Sequence, residues 1–423
     1  MIITILAFVI VFGILVFVHE FGHFIVAKKS GIMVREFSIG MGPKIFFYRH
    51  NQTTYTIRIL PLGGYVRMAG IADNDSQELD PGTPVTLKFN EQNEVILINT
   101  SQKQKTLDGL PLEVSNVDLE HELFIEGYQD NNEEVKRFKV NHDALMVEHD
   151  GTKVQIAPED VQFQNAPVFK KLLTNAAGIV NNVILAIVAF TILTFMQGGV
   201  ASNQNTVTLI QGHSVARNAG IKNGDRIIQV DNQKTNNWNE LSSAIQARPN
   251  QKLTLLVKRD GQVKIIKLIT ESQKNNGKKY GLIGIGNTVD SSFTTKLLSG
   301  FTRTWNMTKQ LVSELAYMVS GHFSLNDLGG PVAIYASTSQ ATKLGLQGVV
   351  YFIAFLSINL AIMNLIPIPV LDGGKILMNI VEAVRRKPTS EKVETIVTLI
   401  GFAFLVVLML LVTINDIQRY FIH

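Results

Sequence analysis

Long stretches without charge divide the sequence. Ile2 to Val18 holds no charged residue, and its helix-like pattern continues to Ala27. Leu172 to Met196 is a second apolar run, softened by Asn175, Asn181 and Asn182. Gly348 to Ile366 is a third, with Asn359 and Asn364 inside it, and Thr395 to Ile414 is a fourth and the most purely aliphatic. A bilayer's hydrocarbon layer takes about 20 mostly apolar residues as helix, so the pattern predicts four transmembrane spans. The first run lacks a charged leader and a small-residue cleavage site, and reads as a retained helix rather than a signal peptide.

Between the spans the period changes. Residues 35–70 read as strands with turn punctuation, and residues 84–164 alternate short runs such as VTLKF, VILIN, LFIEG and KVQIA with polar turns. Residues 204–287 contain IIQVDNQ, a helix-like NELSSAIQA, LTLLVKRDGQ and KIIKLIT, the order of a compact α+β module. Residues 294–321 carry a helical apolar stripe with Trp305, Leu311, Leu315 and Met318, which suits a helix lying along the membrane surface.

Composition agrees with a membrane protein. The 423 residues are 46% hydrophobic and only 17% charged, against about a quarter charged in soluble domains. The chain has no cysteine, so disulfides, thiolate nucleophiles and thiolate metal ligands are excluded. The net charge of +4 conceals an acidic segment: residues 71–168 hold 7 basic and 20 acidic side chains, leaving +17 elsewhere. The basic residues are scattered among the apolar runs, so nucleic acid is not an expected partner. Lys28, Lys29 and Arg35, then Lys170 and Lys171, then Arg385, Arg386 and Lys387 flank the spans on one common side. The positive-inside rule makes that side cytoplasmic. Both termini and residues 197–347 are then expected outside, with the acidic module inside.

His19-Glu20-Phe21-Gly22-His23 is an H-E-x-x-H sequence. On a helix, positions i and i+4 share a face, so both imidazoles can hold one Zn²⁺ while the glutamate serves as general base. Ile2 to Val18 spans about 26 Å as helix, which sets His19 toward the cytoplasmic side of the bilayer. Ionisable groups at that depth are costly and mark functional sites. A catalytic zinc usually takes three protein ligands, and Asp372 is the candidate from another span. It lies in Asn364-Leu-Ile-Pro-Ile-Pro-Val-Leu-Asp372-Gly-Gly, where Pro367 and Pro369 break the helix and Gly373 and Gly374 let the chain turn back.

HEFGH in the first span and N-x-x-P-x-P-x-L-D-G-G in the third resemble the site-2 proteases, intramembrane zinc metalloproteases. The resemblance covers nearly the whole chain and fits the bacterial branch that processes anti-sigma factors and pheromone precursors. It implies His19, His23 and Asp372 as ligands of one zinc ion, Glu20 as general base, and Asn364 as a contact to the substrate backbone or oxyanion. Residues 28–70 resemble the family's membrane-associated β-loop, with Gly40, Gly42, Gly63 and Gly64 at its turns and an edge able to pair with an unwound substrate. The family's G-P-x-x-N element reads here Gly178-Ile179-Val180-Asn181, with Asn181 kept and the proline missing.

Residues 213–231, HSVARNAGIKNGDRIIQVD, resemble a bacterial protease PDZ domain, present once. By that resemblance Tyr280, Gly281, Leu282 and Ile283 begin the loop and strand that receive a peptide, although the module could instead act only as a size filter. The expected protein is thus a polytopic helical membrane protein. It has four spans, a membrane-associated β-loop, a small β-rich cytosolic module and an extracytoplasmic α+β PDZ domain. Expected boundaries are 1–27, 172–196, 348–366 and 395–414 for the spans. The acidic module is expected at 71–168, the PDZ domain at 204–290, interfacial helices at 291–347, and the loop bearing Asp372 at 367–394. Its expected partners are the lipid bilayer and single-pass membrane substrates. An inactive tether and a metal transporter are the competing readings. The first has no use for a metal-binding face, and the second wants polar residues through the full bilayer depth. Gly281 to Gly286 has the wrong spacing for a dinucleotide loop, and His121, His142 and His149 read as solvated residues of the acidic module.

Overall fold

The computed structural model describes residues 2–70, 79–101, 109–129, 134–147, 153–210, 214–275, 278–387 and 389–419. Its helices are α1 (Ile2–Lys29), α2 (Val168–Met196), α3 (Val215–Asn218), α4 (Trp238–Gln246), α5 (Phe293–Val319), α6 (Pro331–Lys343), α7 (Gly345–Leu365), α8 (Asp372–Arg385) and α9 (Glu391–Ile417). Among the described residues α1, α2, α7 and α9 are long and apolar enough to cross a membrane. They are the four expected runs, each extended by a few residues. Their outward faces expose large apolar side chains such as Ile10, Val188 and Phe404, as lipid contact requires; this is a multi-pass membrane protein.

The chain divides into two units, residues 1–187 with 304–423, and residues 188–303. In the first, β1 (Val34–His50) and β2 (Thr53–Met68) form a hairpin folded double. Glu36 pairs with both Arg67 and Thr54, and Ile39 with both Gly64 and Ile57, so the start of β1 lies between the two halves of β2. Gly40, Gly42 and Gly63 adopt φ of 87°, 86° and 76° at the bends, a region that side chains resist. Arg58 fastens the fold: it donates to Ser38 Oγ (3.0 Å), the Gly42 carbonyl (2.7 Å), Glu36 Oε1 (2.9 Å) and Tyr65 Oη (2.6 Å). Burial alone would raise the Glu36 carboxyl, but hydrogen bonds from Thr56 and Arg58 outweigh it and hold the group below its ordinary value.

The acidic segment forms β3 (Pro84–Phe89), β4 (Val95–Asn99), β5 (Leu110–Asp118), β6 (Phe124–Tyr128), β7 (Val135–Val147) and β8 (Lys153–Gln155). Their sheet order is β4-β3-β5-β6-β7-β8, and β4 also pairs with β7 in parallel. The sheet therefore closes on itself around a core that includes Leu87, Ile98, Ile125 and Ile156, and closure removes the free edges of the first five strands.

The helices of this unit pack through Val11 and Leu15 of α1, Ile334 and Ala341 of α6, and Phe352 of α7, with Leu185 of α2 alongside. Within the segment expected to hold interfacial helices, α6 therefore sits in a helix cluster, while α5 displays Phe301 and Trp305 outward. Asp416 near the end of α9 accepts the Ala333 N–H at 2.9 Å, supplying from another helix a cap for the first turn of α6.

The second unit runs β9 (Val200–Ala201), β10 (Val207–Leu209), β11 (Arg226–Val230), β12 (Gln233–Lys234), β13 (Lys252–Arg259), β14 (Gln262–Ile269), β15 (Glu271–Asn275), β16 (Lys278–Leu282), β17 (Ile285–Asn287) and β18 (Val289–Asp290). Its four-stranded sheet has the order β12-β11-β13-β14, and β15 pairs with β16 in a hairpin. A core of its own includes Ile227, Leu241, Leu255 and Ile283.

Candidate metal and proteolytic site

α1 continues unbroken through residues 19–23, so His19 and His23 stand one turn apart on one face. The third participant arrives through a forced turn. α7 ends at Leu365, and Ile366, preceding Pro367, is extended with ψ of 134°. A Cβ on Gly373 or Gly374 would lie 2.3 Å from the Leu365 carbonyl oxygen or 2.2 Å from that of Ile368. Glycine alone lets the turn fold onto the end of α7 and start α8 at Asp372.

Asp372 Oδ2 then lies 3.3 Å from His19 Nε2 and 3.2 Å from His23 Nε2, and the two nitrogens are 3.4 Å apart. Tetrahedral zinc with N or O ligands at about 2.0–2.1 Å separates its ligand atoms by about 3.3–3.4 Å, so the triangle has the size of one face of such a site. The protonation pattern fits too. His23 Nδ1 is 2.7 Å from the Thr174 carbonyl oxygen and must donate to it, which leaves an Nε2 lone pair facing the carboxylate. Asp372 Oδ2 is buried with no hydrogen-bond donor. Three lone pairs converging in a buried place call for a cation, and two imidazoles with one carboxylate are a zinc donor set. They are also the one group of three metal-binding side chains that converges among the described residues.

Around the triangle, Asn364 Nδ2 approaches His19 Nε2 at 3.5 Å. Glu20 shares the electrostatic surroundings of His19, His23, Asp372 and Lys375. Gly64 brings β2 against α1 at the same level: a Cβ there would lie 2.9 Å from Glu20 Cγ and 2.8 Å from Val16 Cγ1. Helix α8 is tied to α2 by Lys171 Nζ and Glu382 Oε1 at 2.8 Å, with side chains 5% and 16% exposed.

Thr174 and Asn182 escape the sequence reading as neighbours of the site, and Gly178 enters it only as the start of the G-P-x-x-N element. Thr174 acts through its backbone, Gly178 through having no side chain, and Asn182 through an amide 3.0 Å from His19 Nδ1. The G-P-x-x-N element spans five positions, so its asparagine corresponds to Asn182; Asn181 instead donates to the Val18 carbonyl at 3.0 Å. The spacing of four from Gly178 to Asn182 is the signal that identifies the pair.

In the second unit, Tyr280 and Gly281 lie on β16 opposite Gln273 and Ser272, Leu282 is exposed, and Ile283 is buried in the core. Ser243, Gln246, Ala247, Lys278, Lys279 and Tyr280 border a shallow, open depression between α4 and β16. His121 meets Glu159, and His142 meets Asp143 and Asp160, in exposed side-chain contacts of the closed sheet's module; His149 lies outside the described residues.

Residues 7–408 match the family described as Peptidase family M50. The chain is 48% identical over 421 residues to "Probable protease eep" of Enterococcus faecalis, covering 99% of each. It is 47% identical over 423 residues to a "Putative zinc metalloprotease" of Streptococcus pyogenes serotype M3, again covering 99% of each. A chain of the same description from Lactococcus lactis is 43% identical over 436 residues, covering 100% of both. With a family match across nearly its whole length and relatives matched end to end, the chain belongs to peptidase family M50, the site-2 protease family of zinc metalloproteases.

Proposed function

We propose that this zinc metalloprotease cuts single-pass membrane proteins within or near their transmembrane segment, with His19, His23 and Asp372 as its metal ligands. The observation that carries the reading is the convergence of these three side chains among apolar helices. A zinc ion held there supplies Lewis-acid polarisation of the scissile carbonyl and lowers the pKa of water.

Glu20 takes the proton that the attacking water gives up and returns it to the leaving nitrogen. The Asn364 amide donates to the substrate backbone or the developing oxyanion. A substrate helix hides its own carbonyls, so the segment must unwind before attack. The folded-double hairpin bent at Gly40, Gly42 and Gly63, with Gly64 against Glu20, offers an extended edge beside the base.

The second unit is a PDZ-like domain. The strand of Tyr280, Gly281 and Leu282, anchored by Ile283, receives a peptide terminus or the unit excludes bulky substrates by size. Basic residues at the span ends put the zinc side and the acidic module in the cytoplasm of a bacterium, and this unit and both termini outside. Anti-sigma factors, signal-peptide remnants and pheromone precursors are the substrate classes that the resemblance suggests.

The test is cleavage of a short single-pass reporter by purified protein in detergent, wild type against Glu20→Gln, with bound zinc assayed in both. The expected result is cut reporter with wild type only and equal zinc in the two. Zinc-loaded wild type that cuts none of a panel of unwinding-prone reporters favours a tethering role instead.

A further inference from the structure

We propose that Asn182 is a positioning residue for the metal site: its amide oxygen accepts the Nδ1–H of His19 and so holds that ring with Nε2 toward Asp372. The inference rests on the zinc-ligand reading above and deepens it.

Helices α1 and α2 meet through matched one-turn spacings. On α2, Thr174, Gly178 and Asn182 recur every four residues; on α1 the two histidines do the same. At Gly178 the contact is at backbone level, since a Cβ would lie 2.3 Å from His23 Nε2 and 2.6 Å from His19 Cε1. One turn before it, the Thr174 carbonyl takes the His23 Nδ1 proton at 2.7 Å. One turn after it, the Asn182 amide stands 3.0 Å from His19 Nδ1. The same helix therefore addresses the far nitrogen of both imidazoles.

The requirement at His19 is set by its other nitrogen. Nε2 faces Asp372 Oδ2 and His23 Nε2, so it ligates only as a lone pair, and the ring proton must then sit on Nδ1. That N–H needs an acceptor. As placed, the Asn182 NH2 group faces Nδ1, donor against donor, while Asn182 Oδ1 is buried without a partner. The two ends of an asparagine amide are nearly the same size, so a half-turn about the terminal bond puts the oxygen on Nδ1–H and gives it its partner.

The residue has little freedom to do otherwise. Asn182 is fully buried, and the Ser357 hydroxyl of α7 donates to its backbone carbonyl at 2.7 Å. Its neighbour Asn181 donates to the Val18 carbonyl of α1. Backbone and side chain are thus held on three helices at the level of His19.

The experiment measures zinc affinity of the purified chain by chelator competition for wild type, Asn182→Leu and Asn182→Asp. The Co²⁺-loaded absorption spectrum and apo-protein melting are recorded alongside. Loss of such an outer partner costs about tenfold to a hundredfold in metal affinity. Leucine is expected to lose that much and to alter the Co²⁺ spectrum. Aspartate, which keeps the acceptor, is expected to stay within about threefold of wild type.

Affinity in Asn182→Leu equal to wild type overturns the inference. So does loss in Asn182→Asp with apo-protein melting unchanged, because a folded carboxylate variant that keeps the acceptor then lacks only the NH2 donor. Where leucine does not fold, Asn182→Ala, which removes the acceptor without adding bulk, takes its place and is expected to lose affinity in the same way. A wild type that binds no zinc sinks the metal-site reading itself, a different failure from zinc-loaded wild type with an indifferent residue 182.

Discussion

A methyl group at residue 178 would sit 2.3 Å from His23 Nε2, closer than any unbonded pair tolerates, whereas one at Gly13 of α1 would meet nothing within 4 Å. Gly178→Ala is therefore expected to displace the imidazole and lower zinc affinity by at least about tenfold, on the scale of losing an outer-shell partner. Gly13→Ala is expected to leave zinc binding unchanged and to stabilise its helix by about 0.5–1 kcal/mol. Zinc content after dialysis against a weak chelator, together with thermal melting, checks both; equal zinc in the two variants refutes the packing argument. His19, His23 and Asp372 were legible in the sequence because charge and imidazole in apolar surroundings stand out. Thr174 was not, because it acts by a backbone carbonyl, and Gly178 was quoted only as the start of an element, its contact with the imidazoles hidden because it acts by an absent side chain. Asn182 lay one residue from Asn181, and only the helical phase against α1 separates their roles.

Among the elements, the second unit offers a sharper pH test than the exposed histidines of the acidic module. Asp225 is 1% exposed, accepts two bonds from Arg259 at 2.7 Å each and one from the Lys222 N–H at 2.8 Å. Burial pushes its carboxyl up, but the Arg259 guanidinium and the Lys222 amide outweigh burial and hold it below its usual range. A depressed folded pKa means the contribution is complete above the unfolded value of about 3.9 and is lost as pH falls through the folded one. Protection of the β11 and β13 amides, relative to their intrinsic exchange rates, is thus expected to stay flat from neutral pH to about 5 and to fall under acid. Asp225→Asn should cost about 2–3 kcal/mol at neutral pH and remove that acid dependence. An unchanged acid profile in the variant assigns the sensitivity to another group. The expected strands, IIQVDNQ through KIIKLIT, were found in order because their alternation is local. The doubled register of β1 and β2 and the β4–β7 closure join distant segments, and alternation carries no information on partners.

For the whole molecule, the absence of cysteine permits labelling without background. Lys387→Cys, in the basic link before α9, is expected to resist a membrane-impermeant maleimide in intact cells and to react after permeabilisation. Lys264→Cys, exposed on β14, is expected to react in both. The reverse pattern overturns the proposed orientation. Taken alone, the sequence determined the four apolar helices, the placement of two histidines on one helical face, and the stop that Pro367 imposes after α7. Each depends on composition or spacing within a few turns, where helical geometry and bilayer thickness act directly. Tertiary structure decided the rest: that Asp372 meets His19 from 353 positions away, that α6 packs between α1 and α7, and that α2 supplies the wall behind both imidazoles. Those outcomes turn on which apolar faces fit against one another, which the local pattern of apolar and polar positions does not specify. What selects among them is close approach at Gly22, Gly178 and Gly373, where the backbone of one segment touches the next.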